Sequence, residues 1–424
     1  MVTEEPLREW DPSDPLSLST RDLDYINREI NRNSDGEKVT KLDLNPYSSD
    51  KVTITPKRHV GTVSLPSGTV LRIRPKVELE LLNLVRFGIG VPPDSYLEEA
   101  SYEVTNDSEF TRLIAHYYSS ILQRVLQGGI RSEYVDQKES KKQIRGRINL
   151  HRQLQKRGPI STEFECDYTE LSYDSALNQT LVYAATILTR LHSGDEIIHR
   201  LNRQISIFKD VGVSQKKVPI HSLQTLSSQM RLTSTYETAL KIAKMVIRQT
   251  SIESLHTGTG TGATFLLNMD NLFEMVARRA VEAIFDKSET TVTKRNIGYL
   301  ATRRSDEQPL GRPMQPDIIA QRSGGSVLVG DAKWKDVSTP SKQDVYQILS
   351  YSTQENAPGL LLYPPNVVTN PQVYQLSNGQ ELCVLSLDLE NSNYEDFVAT
   401  ITEEVQTAIE SLEIDQILFS STKL

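Results

Sequence analysis

The chain has 424 residues, 38% of them hydrophobic and 24% charged, with a formal net charge of −8. That length suits two or three domains of ordinary globular composition, and the negative balance excludes a protein that holds nucleic acid by bulk charge alone. Its two cysteines, Cys166 and Cys383, exclude a disulfide framework and a cysteine zinc site and point to a reducing cytoplasm, while no apolar run near 18 residues and no signal peptide are present, so no membrane span is expected.

Residues 1–45 read as an acidic, partly flexible arm, since the first 50 residues carry a local net charge of −6. Within it, Leu23, Ile26 and Ile30 have helical spacing and predict a short helix over Asp22–Arg32. Residues 46–94 read as a β-rich domain. Val52, Ile54, Val60, Val63, Val70 and Ile73 lie between the turn formers Pro56, Gly61, Pro66 and Gly68. The strand Thr69–Val77 carries Arg72, Arg74 and Lys76 at alternate positions, hence on one face. Such a positive face could meet an acidic partner or approach nucleotide phosphates, as an arginine finger does. A leucine-rich helix follows over Glu78–Gly88.

Residues 95–255 read as mainly helical, with predicted helices at Phe110–Gln127, Asn178–Leu191 and Tyr236–Ile252. Between the first two, Arg131–Arg157 carries a net charge of +6. Lys141, Lys142, Arg145 and Arg147 are its candidates for DNA phosphate contacts, against the alternative of a solvated loop and strand edge. Residues 256–264, containing H-T-G-T-G-T-G, read as a linker. No Gly-Lys-Ser/Thr follows it or occurs elsewhere, so any NTPase work belongs to another chain.

Residues 265–424 form the last predicted domain, an α/β core. Its first helix, Met269–Phe285, buries Leu272, Phe273, Val276, Ala280 and Ile284, and leaves Glu274 off that stripe. Two apolar runs, Ile318–Ala320 and Val327–Val329, flank Gly324-Gly325, which is a hairpin signal. Centring the turn near Gly324 sets Asp317 opposite Asp331, and strand alternation brings Lys333 to the same face. Two carboxylates so close repel each other unless a cation lies between them. Mg²⁺ suits such oxygen ligands and Lys333 could steady developing negative charge, the equipment of phosphodiester hydrolysis. A helix over Ser341–Asn356 puts Gln347 and Tyr351 on one face. Strands at Gly359–Tyr363 and Glu381–Asp388 and an acidic helix at Asn393–Leu412 complete the core.

The P-D, then D-x-K pattern of Asp317, Asp331 and Lys333 resembles the PD-(D/E)xK nuclease signature, and Gln347-x-x-x-Tyr351 resembles the element that follows it in RecB-like members. Upstream, I-R-P-K-V before the leucine-rich helix, then Ile144–Ile148 (I-R-G-R-I), Phe164–Asn178 and Met269–Glu274 (M-D-N-L-F-E) occur in the order found in the McrC family. The resemblance implies a β-rich amino-terminal domain, a helical middle and a restriction-endonuclease-like carboxy-terminal core. It implies Asp317, Asp331 and Glu274 as metal ligands for Mg²⁺ or Mn²⁺, with Lys333, Gln347 and Tyr351 assisting catalysis. It further implies an endonuclease on double-stranded DNA bearing modified cytosine, driven by a McrB-like AAA+ GTPase ring that docks before residue 95. A RecB-like repair exonuclease and a non-catalytic adaptor that stimulates a partner NTPase are the rival readings.

Overall fold

The structure, a computed structural model, describes residues 4–32, 37–48, 50–92, 110–156, 161–191, 196–216, 233–251, 264–285, 289–335 and 337–412. The chain divides into two units, one built from residues 1–101 and 266–424, the other from residues 102–265.

In the first unit the strand Glu4–Arg8 pairs in parallel with Val70–Arg74, which pairs on its other side with His59–Ser64. Leu42–Pro46 and Val52–Pro56 make a separate antiparallel hairpin. Leu7, Ile26, Ile54, Val63, Leu71 and Ile73 fill one core between these strands and the short helical turn Thr20–Ile30. The arm expected over residues 1–45 is thus structured over its described part. Leu7 is apolar and buried, and the backbone of Glu4–Arg8 completes a ladder. The described parts of residues 1–45, 46–94 and 265–424 fall almost wholly in this one compact unit.

The rest of this unit is a six-stranded sheet in the order Thr291–Thr293, Ile318–Arg322, Gly325–Ala332, Gly359–Tyr363, Glu381–Ser386, Gln372–Gln375. The three central strands run parallel and the outer pairings are antiparallel. All five residues of Gly359–Tyr363 are buried, as expected of a parallel strand covered on both faces. Ile319, Val329, Leu361 and Val384 pack with Ile348 and Tyr351 of the helix Lys342–Glu355. The alternate residues Ile318, Ala320, Leu328 and Leu360 are equally buried, and the helices Met269–Phe285 and Tyr394–Glu410 pack against the sheet and each other.

The second unit contains the helices Phe110–Gln127, Ala176–Leu191, Glu196–Asp210 and Ser234–Gln249. Its middle is less helical than the sequence suggests. Glu133–Lys141, Phe164–Ser172 and Arg147–Ile148 form a three-stranded antiparallel sheet, with Phe164–Ser172 central. The predicted linker, residues 256–264, lies outside the described residues except at Thr264. Among the described residues no helix is long and apolar enough to cross a membrane.

Candidate active site

The hairpin register sets the site. Ile318 pairs with Gly330 and Ile319 with Val329, so Asp317 and Asp331 meet just beyond the last of these pairs. The ladder slips by one residue between Ala320 and Gln321, on the turn side, and leaves the carboxylate end in the predicted register. Both carboxylates are almost fully buried, at 6% and 2% exposure. The Ala332 N–H donates to Asp317 Oδ2 at 3.2 Å, which fixes that carboxylate against the neighbouring strand.

Lys333 follows the strand and forms an ion pair with Asp331. Its Nζ also donates to Gln347 Oε1 at 3.0 Å, and Gln347 Nε2 donates to the Tyr351 hydroxyl at 2.6 Å. The helix that presents Gln347 and Tyr351 starts where Ser341 accepts from the Asp344 N–H and stops at Asn356 in the left-handed conformation. The expected face of Gln347 and Tyr351 therefore reaches the Asp317–Asp331–Lys333 cluster through Gln347.

Glu274 approaches from the helix Met269–Phe285, but a lysine intervenes. Lys294, next after the edge strand Thr291–Thr293, donates to Glu274 Oε2 at 2.5 Å and to Asp317 Oδ1 at 2.7 Å. Burial pushes the Asp331 carboxyl up to about 8, and the adjacent Asp317 adds to the rise against the pull of Lys333. Burial acts on Asp317 too, but hydrogen bonds from Asp331 and Lys294 hold it below its ordinary value. Asp331 is thus the member of the pair that takes the proton. Burial opposes the charge on Lys333, yet Asp331 more than offsets that and lifts the ammonium above its usual value.

A divalent cation fits this donor set. Asp331 Oδ2 is buried and carries no hydrogen bond, only the contact with Lys333. Two adjacent carboxylates offer hard oxygen donors, as Mg²⁺ requires when it keeps several waters. Among the described residues no group of three or more acidic, histidine or cysteine side chains stands in ligating positions. The fit therefore rests on Asp317 and Asp331, with Glu274 held off by Lys294.

The cluster opens into a cleft of about 820 Å³ whose wall includes Glu9, Lys76, Asp270 and Trp334. Trp334 Nε1 donates to Glu9 Oε2 at 3.0 Å, and Lys76 Nζ donates to the Trp334 carbonyl at 2.7 Å while lying 5.4 Å from its ring. Lys76, expected beside Arg72 and Arg74 on a docking face, lines this cleft. Arg72 pairs with Glu4 at 2.6 Å on the neighbouring strand, and Arg74 is exposed. Sequence reasoning missed Lys294, Glu9 and Trp334. Trp334 sits inside D-A-K-W-K and could have been flagged, but Glu9 and Lys294 carry no local signal.

Lys141, Lys142, Arg145 and Arg147 lie in the second unit. Lys141 pairs with Glu139 at 2.6 Å, and Arg145 pairs with Glu170 at 2.9 Å and stacks 4.4 Å from the Tyr168 ring. The central strand Phe164–Ser172 brings Glu165, Asp167 and Glu170 beside the basic segment and offsets its charge. Lys142 and Arg147 are exposed.

This architecture is shared with a solved assembly from Thermococcus gammatolerans, described as a refined half-complex of McrB AAA+ hexamers with bound McrC. The match has a TM-score of 0.57 at 15% identity and covers 96% of this chain and 100% of that one. A cryo-EM structure of the Thermococcus gammatolerans McrBC complex is similar at a TM-score of 0.41 and 16% identity, over 68% of this chain and 89% of that one. The first likeness is one of fold, a mixed α/β chain of several sheets and helices. No curated protein matches the chain. The family described as McrBC 5-methylcytosine restriction system component matches residues 54–364, and the chain belongs to that family.

Proposed function

We propose that this chain is the DNA-cleaving subunit of a McrBC-type restriction system, a metal-dependent endonuclease of PD-(D/E)xK type. The observation that carries the reading is the convergence of Asp317, Asp331 and Lys333 in the wall of one cleft, with Gln347 holding Lys333 in place. Asp317 and Asp331 would hold Mg²⁺ or Mn²⁺, which when bound lowers the pKa of water and offsets charge on a phosphoryl oxygen. Lys333 stays protonated beside Asp331 and donates toward the charge that develops on the phosphate. Gln347 and Tyr351 limit where its ammonium can go. The structure similar to this chain contains McrB AAA+ hexamers, and this chain carries no nucleotide-binding loop of its own. The partner of this chain is accordingly a ring-forming AAA+ GTPase, and its substrate double-stranded DNA carrying modified cytosine. Arg72 and Arg74 are the docking residues for that ring, and Lys141, Lys142, Arg145 and Arg147 meet DNA phosphates.

The test is cleavage of methylated DNA by the chain mixed with its partner, GTP and Mg²⁺. Asp331→Asn should lose cleavage by several orders of magnitude while still assembling with the partner. Cleavage by Asp331→Asn at the unmodified rate would sink the assignment. For DNA contacts, Lys142→Ala with Arg147→Ala should lower the slope of log affinity against log salt by roughly one per lost contact. An unchanged slope returns those residues to a solvated sheet edge.

A further inference from the structure

The Lys294 ammonium bridges the carboxylates of Glu274 and Asp317. It lies 2.5 Å from Glu274 Oε2 and 2.7 Å from Asp317 Oδ1, and the lysine side chain is 30% exposed. The geometry follows from the sheet. Thr291–Thr293 pairs antiparallel with Ile318–Arg322, Thr293 opposite Ile319, so Lys294 leaves the ladder beside Asp317. Glu274 comes from a different element, and without Lys294 it would stand beside Asp317 with no cation between the two carboxylates. Burial and the charge of Asp317 both act to raise the Glu274 carboxyl, against the pull of Lys294.

We propose that Lys294 is a built-in counter-cation that competes with the divalent metal for Asp317 and Glu274. With the ammonium in place, Asp317 Oδ1 and Glu274 Oε2 are both engaged and part of the pair's negative charge is offset. A divalent ion that uses these oxygens must displace Lys294, whose flexible stem then carries the ammonium toward the open cleft. The apparent metal affinity is reduced by the fraction of molecules in which the ammonium holds the bridge. Lys294 is in this sense a positioning residue: it acts on the metal through the ligands, and it sets how much free metal the enzyme needs.

This inference rests on the nuclease reading of the site, and the experiment separates the two. Mn²⁺ binding to the full chain is measured by electron paramagnetic resonance and calorimetry for the unmodified protein, Lys294→Met and Asp331→Asn, and for the last two combined. Methionine keeps the length and apolar stem of lysine without the charge. If the bridge is formed in about nine molecules in ten, Lys294→Met binds Mn²⁺ about tenfold more tightly. Its melting temperature without metal falls, because two carboxylates lose their counter-ion, and saturating Mn²⁺ restores it. Weaker or equal Mn²⁺ binding by Lys294→Met, with binding by the unmodified protein still dependent on Asp331, overturns the competition and makes Lys294 a support for the ligands. If Mn²⁺ binding is absent, or survives Asp331→Asn in both backgrounds, the metal site fails and the competition fails with it.

Discussion

At the scale of single residues, Lys333 is positioned rather than merely present. Gln347 accepts from its ammonium at 3.0 Å and is itself tied to Tyr351. Replacing Gln347 by Leu keeps the helix but frees Lys333 to follow Asp331 alone. The expected result is a fall in the single-turnover cleavage rate of up to about 100-fold, the scale of a displacement near 1 Å, with DNA affinity nearly unchanged. Lys333→Met should fall further. Equal rates for Gln347→Leu and the unmodified protein would show that Lys333 needs no such support. These residues were legible in sequence because each sits at a short, regular spacing from the next. Asp331 and Lys333 alternate on a strand, and Gln347 and Tyr351 are one helical turn apart. Lys294 and Glu9 were not legible, because what brings them to the cleft is sheet pairing across long stretches of chain.

At the scale of elements, the strands that could be read are those whose apolar residues are buried. Ile318–Arg322 and Gly359–Tyr363 are of this kind. Glu133–Lys141 reads E-Y-V-D-Q-K-E-S-K and has no fully buried residue, so no hydrophobic pattern announces it. Backbone pairing with Phe164–Ser172 and ion pairs such as Arg145–Glu170 hold that sheet. Gly146 enables it. Its φ is +67°, and a Cβ there would collide with the Asp167 carbonyl and the Tyr168 Cβ. Gly146→Ala should therefore destabilise this unit by about 1–3 kcal/mol or more. Gly129→Ala, at φ +89° with open space around it, should cost less. Equal melting shifts for the two would remove the steric argument. In the first unit, His59 is buried on the strand His59–Ser64 and its Nδ1–H donates to the Lys57 carbonyl at 2.7 Å. Burial lowers its pKa to about 4. The unfolded chain then binds the extra proton between pH 6.5 and 4, so the stability due to neutral His59 is whole above 6.5 and is lost as pH falls through this window. Over it the protein should lose about 3 kcal/mol relative to His59→Gln, which does not titrate. Denaturant titrations at pH 7 and pH 4.5 check this, and a pH-independent difference between the two proteins would contradict it.

At the scale of the whole molecule, the amino-terminal segment belongs to the wall of the candidate active site. A sequence reading that separates residues 46–94 from residues 265–424 predicts that the second stands alone when the first is deleted. The structure instead gives both to one unit. Deleting residues 1–10 removes buried Leu7, the ladder of Glu4–Arg8 and the Glu9 partner of Trp334. The expected loss is about 3 kcal/mol or more. Trp10 goes with the deletion, so tryptophan emission then reports Trp334 alone, and it should shift to the red as that ring, 4% exposed in the intact protein, meets water. An unshifted spectrum with unchanged stability would place Glu4–Trp10 outside the working fold. The Glu9–Trp334 contact spans 325 residues of chain, and the unit it closes is interrupted by the whole of residues 102–265. During synthesis the first strands leave the ribosome long before Asp317, Asp331 and Trp334 exist, and such long-range closure is slow. A growing chain carries no assembled cleft until Trp334 has been made and has met Glu9, so the proposed DNA-cutting activity would arise only after that closure.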